Sequence, residues 1–504
     1  MAGHPEGIRS YHEQTKHSPA RLHSDPHVLD WAIMPRPFKV YPDLEPLPLP
    51  RDVAASARPA LAALLDAGPA SDGPLDRAAL ARLLYFSAGV LRRRAYPGGE
   101  IFFRAAACTG ALYHIDLYVV CAALPDLEAG VYHFGPHDFA LRRLRAGDHR
   151  AVLVAAGADE PALRDAPVVL VYTSTFWRNA WKYRARAYRH CFWDAGTILA
   201  NLTAVAAGGS LPARVVQSFV DADVDGLLDL DVEREVALGL VALGAGAPPP
   251  PPAPAIPRLG LATVPPSSRE VAYPLLGLAH AATSLASPAE VVAARVAVPA
   301  SSIDGSGIAL HALPVDAVAE PIEAVILRRG STRRFPREPV GRAELATVLR
   351  AAVQPLATDC PVTPEPYLIV HAVDGLDPGT YVLDPARFTL HPLRAGRFRG
   401  EAGHLGLGQE LPADAAFNVY WLVDLERVLA RQGARGYRAA QLAAAVAGGR
   451  TYLAAYALGL GATGLTFFDD DVTAFFSPHA AGKSVMFLMA VGQRPSRGRA
   501  AGRG

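Results

Sequence analysis

Lysine is nearly missing from this chain. Of 49 basic residues only four are lysines, Lys16, Lys39, Lys182 and Lys483. The rest are arginines, which do not give up a proton in a protein. Any role for an amine base therefore falls on a very short list. Cysteine is equally scarce. Cys108, Cys121, Cys191 and Cys360 form no CxxC pair and no metal-ligand spacing, which excludes a zinc ribbon or a disulfide scaffold and suits a reducing compartment. A net charge of +1 excludes general attraction to nucleic acid or to acidic membranes, and the basic tail from Arg494 reads as a frayed end. The opening residues are polar and carry no charged-then-apolar signal pattern. The longest apolar region, 439–468, is broken by Arg450 and reads as a buried helix, a glycine turn and a strand rather than a membrane span. No GxGxxG follows a strand pattern, so a Rossmann-type nicotinamide site is not expected. These absences leave a soluble, cytoplasmic globular chain with no nucleic-acid or membrane partner.

What the chain does have is a copy of itself. "GAGAPPPPPAPAIP" (244–257) can only be extended and reads as a semi-rigid spacer. Across it, "GVYHFGPHDFALRRLRAG" (130–147) matches "GTYVLDPARFTLHPLRAG" (379–396) at nine of eighteen positions, at an offset of 249. The same offset pairs Tyr188-Arg189 with Tyr437-Arg438 and Asp221 with Asp470, while the helical stretches "RAALARLL" (77–84) and "RAELATVL" (342–349) align at 265. Each half repeats one order: helix, strand, hairpin, strand, long Ala-rich helix, final strand. The predicted organisation is a domain over 1–245 with a leader arm, a linker over 246–257, a second domain over 258–495 and a tail over 496–504. Two such copies in one chain most simply pack like a homodimer, about a pseudo-twofold axis.

Several segments in this frame carry a resemblance: "TKHS" and "PRPFKVYP" near the start, "GALYHIDLYVV" (110–120), "WKYRARAYRH" (181–190) with "DAG", "RGSTRRF" (329–335), and "LGLGATGLTFFDDD" (458–471). Together they resemble a tandem nitroreductase-fold protein, and in particular the SagB-type dehydrogenases that oxidise azoline rings in modified peptides. The resemblance implies an α+β fold of two fused domains packed as an intrachain pseudo-dimer, with FMN between protomers. It also implies a peptide or small-molecule substrate, with a cyclodehydratase complex as partner.

In Arg329-x-Ser331-x-Arg333 two guanidiniums flank a hydroxyl, a set suited to phosphate oxygens. The family uses this motif for the FMN phosphate, ahead of its first helix, and often adds a basic residue where Arg494 stands. The first-half counterparts are Leu64, Asp66 and Gly68, so that copy of the grip is lost. The loss is complementary. The family's flavin-approaching loop survives in the first half as "AACTGALYH" (106–114), with Cys108, Thr109, Gly110 and Ala111, whereas "ATDCPVTPEPYLIV" (357–370) has lost it. One complete pocket results, from that loop, the arginine motif, and Gly461, Gly464 and Leu465 of the glycine turn. One FMN per chain is expected.

Lys182 and Tyr183 match a pair held in this family to remove a ring proton, and their counterparts Arg431 and Gln432 are incapable of that work. A nicotinamide-fuelled nitro or quinone reductase, or a flavin-free scaffold, are the alternative readings. His12, His17, His23 and His27 read as a solvated arm. "DADVD" (221–225) and "DDDV" (469–472) read as loop-and-cap structure without calcium. Tyr188, Arg189, Asp194 and Asn201 are left between pocket lining and packing.

Overall fold

The computed structural model describes residues 5–65, 75–96 and 99–495. Asp66, Gly68 and the tail 496–504 lie outside the described residues. Each half builds a seven-stranded antiparallel sheet with one shared topology. In the first half the strands run Pro46–Pro48, Ala140–Ala146, Gly130–Gly135, Ile115–Cys121, Val168–Thr175, Glu235–Leu243 and Ala213–Val216 across the sheet. The second half repeats this as Ile308–Ala309, Thr389–Ala395, Gly379–Asp384, Glu365–Val370, Phe417–Val423, Ser484–Gly492 and Gly461–Leu465. The central strands read as continuous apolar runs because both their faces are covered, and Val168–Thr175 and Phe417–Val423 are buried along their whole length. The expected glycine turn at 461–465 is an edge strand, since pairing to Ser484–Gly492 outweighs the low strand propensity of glycine.

Two long helices, Ala187–Gly208 and Gly436–Ala457, cross at the seam between the halves. A Cβ on Gly196 would stand 2.9 Å from the Ala445 backbone, and one on Gly449 would stand 2.5 Å from the Ala200 Cβ. Residues 196 and 445, like 200 and 449, are counterparts at the repeat offset. Each helix therefore meets its own image, which places the pseudo-twofold axis between them.

Charge is exchanged across that axis. Arg186 and Arg189 of the first half hold Asp469 of the second at 3.0 and 2.6 Å, and Arg435 and Arg438 of the second hold Asp221 of the first at 2.5 and 2.8 Å. All six side chains are buried. The structural partner of Asp221 is thus Asp469; Asp470, its expected counterpart, sits on the surface beside Lys16.

The N-terminal segment is not a solvated arm. Pro5–Gln14 is a helix with Ile8, Tyr11 and His12 buried, and it packs against a second short helix, Pro274–Thr283. Arg189 donates to the His12 carbonyl and to Thr15 Oγ1, just as Arg438 donates to the His280 carbonyl and to Thr283 Oγ1. The duplication includes these leader helices. Of the four histidines only His23 and His27 are exposed. The proline linker is also held down: Ala247 N–H donates to the Asp165 carbonyl, and Arg145 donates to the carbonyl of Pro257. Residues beyond the expected boundary at 258 continue along the first half, where Leu259 N–H donates to Asp229 and Trp177 donates to Ser267.

Burial alone opposes ionisation of Asp221 and Asp469, but their arginines outweigh it and hold both carboxyls below the usual range. A depressed carboxyl contributes stability above its unfolded value of about 3.9, and that stability is lost as pH falls through the folded value. Arg189→Met, which leaves the buried Asp469 carboxylate with Arg186 as its one guanidinium partner, is expected to cost about 1.5–3 kcal/mol at neutral pH in denaturant melts. Asp469→Asn is expected to flatten the loss of stability below about pH 4.

Candidate active site

The motifs taken from opposite ends of the chain meet in one cavity of about 660 Å³ at the seam, within the size range of ligand sites. The second half contributes Arg329, Ser331, Arg333, Gly464 and Leu465; the first contributes Cys108, Thr109, Gly110, Ala111, Lys182 and Tyr183. Two expected residues stay out. Gly461 backs onto Thr332, and Arg494 donates to the Gly459 carbonyl behind the wall.

The arginine motif does not sit at a helix N-terminus. It follows helix Ile322–Arg328 directly, and helix Arg342–Ala352 begins well past it. Its grip comes from side chains. Arg329 is buried, lies over the Tyr452 ring and donates to the Ala105 carbonyl of the other half at 2.8 Å. Ser331 Oγ is 3.1 Å from Tyr452 Oη, which in turn accepts from Gly464 N–H at 2.6 Å. Among the described residues neither Arg329 nor Arg333 has a carboxylate partner. Two unneutralised cations and a hydroxyl converging on one cavity select an anionic ligand.

Asp194 shapes the facing loop. Its Oδ1 accepts from Thr109 N–H at 2.8 Å and Thr109 Oγ1 at 2.6 Å; its Oδ2 accepts from Cys108 Sγ and lies 2.9 Å from His114 Nε2. Gly110, Ala111 and Tyr113 all have positive φ, a left-handed run this clamp over-determines. Glycine is required at 110 because a Cβ there would stand 2.8 Å from Tyr183 Oη. Burial, then Asp194, push the Cys108 thiol well above its ordinary range, so it is a protonated donor rather than a nucleophile. Asp194 and Thr197 line the cavity, whereas Tyr188, Arg189 and Asn201 serve packing and the seam.

Lys182 ends helix Phe176–Tyr183, exposed at the cavity mouth, with its ammonium 5.5 Å from the Tyr183 ring centre. The other three lysines are each paired: Lys16 with Glu13 and Asp470, Lys39 with Glu235, Lys483 with Glu365. Lys182 alone has no carboxylate partner among the described residues. Tyr183 is pushed up by burial and then by Asp194, so its hydroxyl stays protonated. Behind it His190 packs edge-on at 4.5 Å and is held below the ordinary histidine range by burial and by Arg186. His190 Nε2 and Thr466 Oγ1 belong to cavity-lining residues and have no hydrogen-bond partner among the described residues. Sequence reasoning missed His190, Thr466, Tyr452 and Gln409, for which spacing offers no signal.

The symmetry-related position is built differently, around a cavity of about 570 Å³ bordered by Gln217, Thr358, Cys360, Ala443 and Val446. Residues 357–359 lie alongside edge strand Ala213–Val216: Val215 N–H donates to the Ala357 carbonyl at 2.9 Å, and Asp359 accepts from the backbone N–H groups of Gln217 and Ser218 at 2.7 and 3.1 Å. Leu64 stands in the core where the second half has Arg329, and Ala443 stands where the first half has Asp194.

A model of the nitroreductase family matches residues 61–245 and 326–493, and the chain belongs to that family. The crystal structure of a candidate nitroreductase from Anabaena variabilis superposes with a TM-score of 0.77 at 27% identity, covering 98% of this chain and 100% of that one. The tandem architecture is therefore shared over the full length. The microcin B17-processing protein McbC of Escherichia coli is 30% identical over 151 residues, 29% of this chain and 51% of McbC. A candidate nitroreductase of Methanocaldococcus jannaschii is 24% identical over 157 residues, 31% of this chain and 76% of that protein.

Asp194→Ala is expected to release the loop. Hydrogen exchange at the Thr109 and Tyr113 amides should quicken about tenfold or more, because a buried charge-assisted bond of about 1.5–3 kcal/mol is lost.

Proposed function

We propose that the chain is an FMN-dependent dehydrogenase that carries one flavin in the seam cavity and oxidises azoline rings to azoles in a ribosomally made peptide. One observation carries this reading. The anion grip of one half, the clamped loop of the other and the one lysine without a carboxylate partner among the described residues line one cavity, while the symmetric position has Leu64 for Arg329 and Ala443 for Asp194.

The residues present fit FMN. Arg329, Arg333 and Ser331 would hold its phosphate, and the backbone around Thr109–Ala111 and Gly464 would border its ring. His190 Nε2 and Thr466 Oγ1 offer unused polar atoms for the remaining edge. Bound there, FMN supplies the two-electron acceptor, and the protein supplies position and proton transfer. Lys182 acts as general base on the ring proton, since no carboxylate competes for its amine or fixes it elsewhere. Tyr183 keeps its proton and orients the ring by donating to it.

McbC, as its name states, processes microcin B17, and the shared stretch supports a peptide substrate here. Azolines arise by condensing a side-chain thiol or hydroxyl onto a backbone carbonyl with loss of water. A cyclodehydratase must therefore supply the substrate, and it is the partner this reading requires.

Flavin absorbance against protein mass is expected to give one FMN per chain; a value near two would refute the single-pocket reading. Arg329→Met should weaken FMN binding about 10–100-fold. Lys182→Ala should retain FMN and lose azoline oxidation about 10²–10⁴-fold, followed by the loss of two hydrogens in mass spectra. Unchanged turnover would remove Lys182 from the mechanism.

A further inference from the structure

Strands Val90–Tyr96 and Gly99–Arg104 form a two-stranded sheet of their own, paired Arg92 to Phe103, Arg93 to Phe102 and Arg94 to Ile101. The second half has no such hairpin between helix Arg342–Ala352 and strand Glu365–Val370. Only the half that supplies the clamped loop carries it. Among the described residues neither strand pairs with any other, and Arg92–Tyr96 and Gly99–Ile101 are exposed, so their backbone edges are free. The hairpin also runs into the cavity, which Leu91, Arg92, Phe103 and Arg104 line.

An exposed free strand edge is a pairing template, and a row of cations along it turns away neutral and basic strands while still admitting an acidic one. This one is not covered, and it is strongly basic. Arg92, Arg93 and Arg94 have no carboxylate partner among the described residues, against a single acid, Glu100. Beside it lies an apolar rim. Val28, Trp31 and Met34 are 86%, 67% and 48% exposed on the segment that leads to Phe38, whose ring packs on Phe102 at 4.9 Å. Trp31 sits on Trp181, the residue before Lys182.

We infer that this hairpin is the docking edge for the peptide substrate, which binds as an added strand through an extended acidic segment and so feeds the neighbouring residues into the cavity. Main-chain bonds to the free edge give affinity, carboxylates facing Arg92–Arg94 give register and selection, and bulky apolar side chains rest on Trp31 and Met34. This inference rests on the reading of the cavity as the reaction site, but its test does not use turnover.

The probe is a short fluorescein-labelled peptide alternating glutamate and valine, titrated with the full chain at low salt and followed by anisotropy. It is expected to bind, and to bind at least about tenfold more weakly to an Arg93→Glu/Arg94→Glu variant whose melting temperature is unchanged. A matched peptide with proline in place of valine, which cannot donate main-chain bonds, should also bind at least about tenfold more weakly. No binding, equal binding of the proline peptide, an unaffected double variant, or equal displacement by oligothymidine would each overturn the proposal. Docking without azoline oxidation would instead refute only the reading of the reaction.

Discussion

The structure depends on an exchange of arginines and aspartates across the pseudo-twofold axis. Arg186 and Arg189 close on Asp469, and Arg435 and Arg438 close on Asp221, each pair reaching from one half into the other. Burying one carboxylate with two guanidiniums is costly unless the groups are met; backbone carbonyls of the leader helices and threonine hydroxyls take the remaining donors of Arg189 and Arg438, while Arg186 Nε and Nη2 and Arg435 Nε have no partner among the described residues. Neither half can satisfy its own charges. The two therefore hold one relative placement, and that placement sets the distance between the arginine motif and the clamped loop.

A symmetric frame offers two equivalent seams, and the chain has used them unequally. On one side, Arg329 and Ser331 face a loop that Asp194 holds open. On the other, Leu64 and Ala443 occupy the matching positions, and the Asp359 loop pairs with the edge strand Ala213–Val216. Seating the Asp359 loop there has a structural return: the backbone groups of Gln217 and Ser218 are met by protein. A homodimer must keep both sites alike, whereas a fused pair can keep one for chemistry and convert the other into a joint.

Much of this was legible in the sequence because the repeat kept a constant offset. The offset of 249 located two domains and paired Lys182 with Arg431, and the helical stretches aligned at 265 set Leu64 against Arg329. It failed where function rests on backbone groups. The leader helices agree at little more than His12 with His280 and Thr15 with Thr283, since what they offer Arg189 and Arg438 is a carbonyl and one hydroxyl. Likewise "ATDC" reads only as a missing motif, yet it makes a β-bridge to the other half, Thr358 to Val215. Gly461 looked like part of a ligand turn but lies behind Thr332 in a paired edge strand. Asp194 was visible in "DAG" but ambiguous, because a clamp and a packing residue look alike until the loop it holds is in place.

The central claim is that both halves build one ligand cradle and that its mirror site has lost the anion grip and the clamp. Crystals soaked with FMN test it most directly. The account predicts density for one flavin spanning Arg329 and Thr109, with Asp359 still bonded to Gln217 and Ser218. Density at the Asp359 seam, or a flavin held by residues of one half alone, would contradict it.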